Sequence, residues 1–178
     1  SCFPKDVIAL ASAANEVNYD FKILNAVIDV NRLQRDFFAN KISAYFKGDL
    51  TNKRFAVWGL AFKPNTDDIR EAPALDIIAQ LLKAGATVAA FDPEAMRNVQ
   101  HETNLAIDFA TSQYDALEDA DALIICTEWN EFRNPDFDKI AKLLKAKVIF
   151  DGRNLYDVEK MEAKGFSYES IGRRKTAV

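Results

Sequence analysis

Histidine and cysteine, the residues that most often hold transition metals or act as nucleophiles, are scarce in this sequence. Among 178 residues there is one histidine, His101, and there are two cysteines, Cys2 and Cys126. The two thiols lie far apart, without the close spacing of metal ligands. We therefore expect no metal site and no histidine-based triad. Two distant cysteines also give no disulfide framework, which favours the reducing cytosol.

An excess of positive charge and a long apolar run are also missing. Lys and Arg number 23 against 27 Asp and Glu, a net charge of -4 that argues against a nucleic-acid surface. No apolar run approaches the roughly 18 residues that span a bilayer, and no basic-then-apolar leader precedes the fold. We expect neither nucleic acid nor membrane as a partner.

Glycine is sparse, and this removes one common nucleotide motif. None of the 6 glycines forms the G-x-G-x-x-G turn of a dinucleotide site, and the first predicted strand ends in "WGLAFK". The hydrophobic share of 49% and the charged share of 28% are nevertheless ordinary for a globular chain. A standard NAD-binding turn is therefore absent from an otherwise normal globular sequence.

The first part of the chain has helical patterning without a strand. Apolar residues recur at three- and four-residue steps through 21–46, which predicts one amphipathic helix of about seven turns. Asp20 is its predicted N-cap. The apolar side is rich in phenylalanine, so we expect this helix to pack against a partner subunit or a further domain. Residues 47–53 have the composition of a linker.

From residue 54 onward, short apolar runs alternate with helical stretches. This alternation predicts a Rossmann-like, doubly wound parallel sheet with helices on both faces, preceded by the long helix. We expect residues 1–50 to form the end of a helical region and 51–178 to form the α/β domain. The strands are predicted at 54–62, 87–93, 106–111 (an edge strand), 122–127, 147–152 and in "FSYESIG"; the helices at 73–86, 94–102, 135–146, in "SQYDALEDA" and in "DVEKMEAKG".

In such sheets ligands bind at the carboxyl ends of the strands, so the residues that follow each strand are the candidates. Lys63 and Arg70 flank a polar loop that leads into a helix N-terminus, which is a natural anion site. The alternative is that Lys63 is a solvated lysine and that Arg70 pairs with Asp67 or Glu71.

Two other strand ends carry candidates of the same kind. Arg153 follows "FDG", where its guanidinium is suited to bind a phosphate with two hydrogen bonds. Alternatively it pairs with Asp151 or Asp157. Trp129, in "TEWNEF", is more typical of a packing residue at the rim than of a stacking platform.

The opening segment "SCFPKD" places Cys2 near Lys5 and a predicted helix start. Both lower a thiol pKa, and a thiolate is the nucleophilic form of cysteine. Asp6 is placed either for acid–base work or to cap the helix. The alternative is a purely structural cysteine.

Taken together, "SCFPKD", "GLAFKPNTDDIREAP", "FDPEAM", "TEWNEF" and "FDGRN" resemble, in order and spacing, the UDP-glucose 6-dehydrogenases of the wider nucleotide-sugar dehydrogenase group. The resemblance runs from Cys2 to about Asn154. "FPKD" with "TEWNEF" favours UDP-glucose over GDP-mannose or UDP-N-acetylmannosamine.

The resemblance implies a reaction and roles for the residues. These enzymes use two NAD+ to oxidise the sugar C6 alcohol to a carboxylate, through a cysteine thiohemiacetal and a thioester, and they give UDP-glucuronate. It implies that Cys2 is the nucleophile and that Asp6 positions or activates water. The other roles it implies are cofactor contacts from Lys5 and Arg70 and substrate contacts from Phe62, Lys63 and Arg153.

The chain departs from that family by lacking its NAD-binding first half. The resemblance therefore implies a C-terminal fragment that is inactive by itself, whose 21–46 helix forms a homodimer and whose α/β domain binds UDP-sugar. The competing class is a non-catalytic nucleotide-sugar-binding or dimerisation module. A third interpretation, a signalling receiver with Asp92 or Asp151 as phosphoacceptor, does not fit the helical preamble.

Overall fold

The computed structural model describes the backbone of residues 3–177 and the side chains of residues 5–177. Two helices come first, α1 at Phe3–Glu16 and α2 at Lys22–Tyr45. Between them Asn18 adopts a left-handed conformation with φ 55°. The predicted N-cap of α2 is wrong, because Phe21 holds that position, without a side-chain cap. The Asp20 carboxylate instead accepts a hydrogen bond from the Asn25 amide at 3.3 Å.

The two long sides of α2 differ in what they contact. Its 24 residues span about 36 Å at 1.5 Å per residue. Near its C-terminal end one side is buried against the α/β domain through Phe38, Ala39 and Ile42. The opposite side exposes large apolar side chains at Ile23, Val30, Leu33 and Phe37.

Six parallel strands form a single sheet in the order β3-β2-β1-β4-β5-β6. The sheet is doubly wound, as predicted from the sequence, and the connections reverse direction between β1 and β4. The central strands are buried along nearly their whole length, as expected for a sheet covered on both faces. The strands are β1 Arg54–Trp58, β2 Thr87–Phe91, β3 Ile107–Phe109, β4 Ala122–Ile125, β5 Val148–Asp151 and β6 Ser167–Ser170.

The connecting helices are shorter than the sequence pattern predicts. The segment "SQYDALEDA" forms only a 3-10 turn, Asp115–Leu117, before Asp119 takes a positive φ of 56°. The first strand ends at Trp58 rather than at residue 62, because Gly59 turns the chain with φ 91°. The helices are α3 Pro73–Lys83, α4 Met96–Glu102, α5 Asn130–Arg133, α6 Phe137–Leu143 and α7 Val158–Ala163.

Aromatic and polar contacts attach α2 to the α/β domain. The Tyr45 and Phe150 rings meet edge to face at 5.5 Å between centroids. Closer to the middle of the helix, the Arg35 guanidinium donates to Glu71 Oε2 at 3.0 Å and forms an ion pair with Asp76. No helix within residues 3–177 is both long enough and apolar enough to cross a membrane.

Candidate functional site

The crevice at the switch point between β1 and β4, where a doubly wound sheet usually holds its ligand, is filled by the protein itself. A side chain on Gly59 would place its Cβ 2.5 Å from Thr127 Cβ, so the two strand ends touch. The Thr127 hydroxyl, fully buried, donates to the Ala61 carbonyl at 2.6 Å.

Asp92 closes the same crevice from β2. Its buried carboxylate accepts hydrogen bonds from the Leu60 and Ala61 N–H groups at 2.7 and 3.0 Å and from Trp129 Nε1 at 3.0 Å. Two more N–H groups, those of Glu94 and Ala95, donate to its other oxygen. Trp129 is accordingly a packing residue, 7% exposed, and it ties the end of β4 to the end of β2.

Asp151 has a comparable structural role at the end of β5. Its buried carboxylate accepts from the N–H groups of Arg153 at 2.8 Å and Leu155 at 2.7 Å, and from the Tyr168 hydroxyl at 2.7 Å. Burial, and then this carboxylate, raise the pKa of Tyr168 well above its usual value. Asp92 and Asp151 are both enclosed and saturated with donors, so the receiver interpretation is wrong for both.

The open cavity at this edge of the sheet lies between the ends of β4 and β5 and helix α2. It has a volume of 330 Å³, within the range of small-molecule sites. A side chain on Gly152 would bring Cβ within 3.0 Å of the Ile125 carbonyl and 3.4 Å of the Phe38 ring, so glycine lets α2 approach the sheet. The cavity brings two of the predicted substrate residues together, and its walls include Phe62, Arg153, Phe38, Ile77, Ile125, Cys126, Gln34 and Ile171.

Arg153 pairs with neither of the acids expected from the sequence. Its Nε and Nη2 donate to the two oxygens of Glu128 at 2.5 and 2.8 Å, and only its backbone N–H bonds to Asp151. Partial burial raises the pKa of the Glu128 carboxyl, but the bonds from Arg153 outweigh burial and hold it below its ordinary value. The site thus contains an ion pair across two strand ends.

The loop after β1 presents the other cationic candidates. The Phe62 N–H donates to the Asp68 carbonyl at 2.9 Å, which closes the loop at its base. Lys63 is exposed and does not line the cavity, and within residues 3–177 its ammonium has no ion pair or hydrogen bond. It is a solvated lysine, next in sequence to Phe62, which lines the cavity.

Arg70 pairs with Asp68 and not with Asp67 or Glu71. Its Nε and Nη2 donate to the Asp68 carboxylate at 2.9 and 2.8 Å. The Arg70 guanidinium holds the pKa of the Asp68 carboxyl well below its usual range. The Arg70 side chain is 70% exposed, and Arg70 does not line the cavity beside Arg153.

The residues around the predicted nucleophile lie on α1. Cys2 is outside the described residues, and Lys5 and Asp6 are exposed in the first turns of the helix. Val7 and Ile8, which come next, line a second cavity of 570 Å³ together with Arg35 and Glu71. This second cavity brings the start of α1 to the loop that carries Arg70.

The partners that matter most are the ones that the sequence pattern did not indicate. The sequence places Glu128 just after a predicted strand, but it does not indicate the ion pair with Arg153, which lies in a different loop. Arg35 sits in the middle of a long helix, where a cation is ordinarily solvated, yet its side chain is only 19% exposed and it borders both cavities.

The chain is similar to known proteins in sequence and in structure. A family model, "UDP-glucose/GDP-mannose dehydrogenase family, UDP binding domain", matches residues 56–158. UDP-glucose 6-dehydrogenase TuaD of Bacillus subtilis is 44% identical over 173 residues, 97% of this chain and 37% of the relative. The UDP-glucose 6-dehydrogenase of Pseudomonas aeruginosa is 44% identical over 178 residues, 97% of this chain and 39% of the relative.

Two solved structures of nucleotide-sugar dehydrogenases are also similar to the chain. A UDP-glucose dehydrogenase from Pyrobaculum islandicum superposes with a TM-score of 0.74 at 31% identity, covering 86% of this chain and 34% of that protein. A UDP-D-ManNAc dehydrogenase from Pyrococcus horikoshii superposes with a TM-score of 0.75 at 28% identity, covering 97% and 38%. The chain thus spans well under half the length of each of these four proteins. Residues 56–158 carry the UDP-binding domain, and the chain belongs to the UDP-glucose/GDP-mannose dehydrogenase family.

Proposed function

We propose that this chain is the C-terminal part of a UDP-glucose 6-dehydrogenase and that the cavity beside Arg153 holds the UDP portion of the substrate. One observation carries the proposal: the 330 Å³ cavity and its arginine lie at the carboxyl edge of the sheet, within or beside the matched UDP-binding segment 56–158. The names of the two bacterial relatives, both UDP-glucose 6-dehydrogenases, support the choice of sugar.

The lining of the cavity suits a nucleoside diphosphate. Phe62, Phe38 and Ile125 give an apolar wall for a base or a ribose face, while Arg153 supplies donors for phosphate oxygens. Lys63, exposed and next in sequence to Phe62, adds a positive charge on a long side chain that can reach the same diphosphate. The predicted substrate residues therefore have complementary tasks.

The whole enzyme would oxidise the sugar C6 alcohol to a carboxylate with two NAD+ and one water, releasing UDP-glucuronate, two NADH and protons. We assign to Cys2 the thiolate that adds to the C6 aldehyde, giving a thiohemiacetal and later a thioester. Asp6 would position the water that hydrolyses the thioester and returns the thiol. Both assignments rest on the resemblance of "SCFPKD" to the family motif.

The described residues do not fit a complete NAD molecule. The glycine fingerprint is absent, and the switch-point crevice is filled by Gly59, Thr127 and the Asp92–Trp129 pair. Lys5 and Arg70, both exposed, would supply only side contacts to a dinucleotide held elsewhere. We assign the main NAD site to the N-terminal half of the whole protein, so the chain alone should form no NADH from UDP-glucose.

Two further parts of the proposal concern the assembly and its location. The apolar side of α2 would join two copies into a homodimer through residues 21–46. The location would be the cytoplasm, because two distant cysteines without a disulfide framework are typical of a reducing compartment.

Titration calorimetry of this chain with UDP-glucose and UDP tests the site. We expect UDP binding to weaken about tenfold or more in Arg153→Ala, because a strong phosphate contact is lost. In Lys63→Ala it should weaken about threefold, because the lost contact is screened by solvent. Lys142→Ala, an exposed lysine of α6, is the matched control and should bind normally. GDP-mannose and UDP-N-acetylmannosamine in the same series test the alternative sugars. Undetectable UDP binding, or Arg153→Ala binding UDP as well as the parent chain, contradicts the proposal.

A further inference from the structure

The guanidinium of Arg153 uses only one of its donor edges within the described part of the chain. Nε and Nη2 donate to Glu128 at 2.5 and 2.8 Å, whereas Nη1 makes no hydrogen bond to any residue among 3–177. The backbone N–H of the same residue donates to Asp151 Oδ1 at 2.8 Å. Arg153 is therefore held at its backbone and at one edge of its side chain, and its remaining edge is open.

We propose that Glu128 is a positioning residue for diphosphate recognition, and this rests on the proposed function of the cavity. A guanidinium is planar, so fixing Nε and Nη2 also fixes the direction of Nη1. Arg153 borders the cavity, and its side chain is 38% exposed against 23% for Glu128. The carboxylate thus holds the arginine from the covered side and leaves the open edge for a phosphate oxygen.

Preorganisation is the physical benefit of this arrangement. A free arginine side chain loses rotamer freedom when it binds a phosphate, which subtracts from affinity. With Glu128 in place that loss is incurred on folding, before the ligand arrives. Because the guanidinium is rigid and planar, holding one of its edges is enough to orient all of its donors.

Charge repulsion alone predicts that UDP binds more tightly when Glu128 is removed, whereas loss of positioning predicts weaker binding. A carboxylate near a diphosphate repels it, and removing one charge at such a distance in a partly hydrated site should tighten binding about threefold. If positioning dominates, removal of Glu128 weakens binding instead. The sign of the change therefore separates a positioning residue from a mere counter-ion that competes with the ligand.

Calorimetry with UDP and with uridine, on this chain and its variants, makes the comparison. We expect Glu128→Ala to weaken UDP binding about tenfold and Glu128→Gln about threefold, because the amide keeps one acceptor oxygen. Uridine carries no phosphate, so its affinity should not change in either variant. Glu131→Ala removes the same charge from the same segment, at an exposed residue with no hydrogen bond from its side chain to the described part of the chain, and is the matched control.

A double-mutant cycle guards against a general loss of structure. In an Arg153→Lys background the cation has no planar fork to orient, so Glu128→Ala should no longer weaken UDP binding. The inference is overturned if Glu128→Ala binds UDP equally or more tightly, or if UDP and uridine weaken together. In either case, weaker UDP binding by Arg153→Ala would still support the proposed UDP site. If Arg153→Ala binds UDP normally, the proposed site fails and this inference fails with it.

Discussion

The two thiols of the chain differ in their expected reactivity. Burial raises the pKa of the Cys126 thiol to about 12, so at pH 8.5 fewer than about one molecule in a thousand carries its thiolate. Cys126 borders the cavity but is only 6% exposed at the end of β4. It therefore behaves as a small apolar residue, while the proposed nucleophile is Cys2.

Iodoacetamide labelling should separate the two. In the folded chain at pH 8.5 we expect label at Cys2 only, with Cys126 reacting once urea exposes it. Because the thiolate fraction rises only as the pH approaches the raised pKa, labelling of Cys126 should stay negligible from pH 7 to pH 9. Peptide mass spectrometry locates the label, and Cys2→Ser, which should take up none while folded, is the control. Rapid labelling of Cys126 in the folded chain would contradict this.

Pairing of individual charges was the least predictable part of the site. The sequence offers Arg70 three nearby acids, and only the loop backbone selects Asp68 among them. For Arg153 the predicted pairing with a nearby acid was wrong. The Asp151 carboxylate already accepts hydrogen bonds from backbone N–H groups and from a tyrosine. Its actual partner, Glu128, comes from a neighbouring strand end, which periodicity and spacing do not reveal.

At the scale of elements, alternation of apolar runs predicted the sheet well. The six strands and the doubly wound parallel sheet follow from short buried runs separated by helical stretches. Element ends were less predictable: β1 stops at Trp58 because Gly59 adopts φ 91°, although apolar residues continue to Phe62. Apolar character alone does not reveal where a backbone turns. The division into 1–50 and 51–178 stays a prediction.

Two adjacent phenylalanines on α2 allow a test of how that helix is attached. Phe38 is 3% exposed and contacts the sheet at Gly152, whereas Phe37 is 52% exposed on the other side. We expect Phe38→Ala to lower the free energy of unfolding by about 3–4 kcal/mol, the usual cost of emptying an aromatic core position. Phe37→Ala should cost less than about 1 kcal/mol in dilute solution.

Urea unfolding followed by circular dichroism measures both. Leu75→Ala, a partly buried position on α3, adds a reference of intermediate burial. Equal destabilisation by the two phenylalanine variants would mean that α2 does not pack on the domain as described.

At the scale of the whole molecule, helix α2 exposes a row of large apolar side chains. On α2, Ile23, Val30 and Phe37 recur every seven residues with Leu33 between them, the spacing of a helix–helix seam. Their exposed fractions of 52% to 73% are large for isolated apolar residues, and Leu10 on α1 and Val17 just after α1 are exposed as well. A second copy of the same helix would bury this stripe, as the proposed homodimer requires.

Sedimentation velocity over a concentration series tests the homodimer. We expect a dimer for the parent chain and a monomer, with the dissociation constant raised about 100-fold or more, for Val30→Glu and Phe37→Glu, because each would bury an unpaired carboxylate in the seam. Gln100→Glu adds the same charge at an exposed position of α4 and should stay dimeric. The cost of Phe37→Ala should also grow with protein concentration, since dimerisation stabilises the folded state by mass action. A parent chain that stays monomeric at high concentration, or a Phe37→Glu variant that still dimerises, would contradict the proposed homodimer.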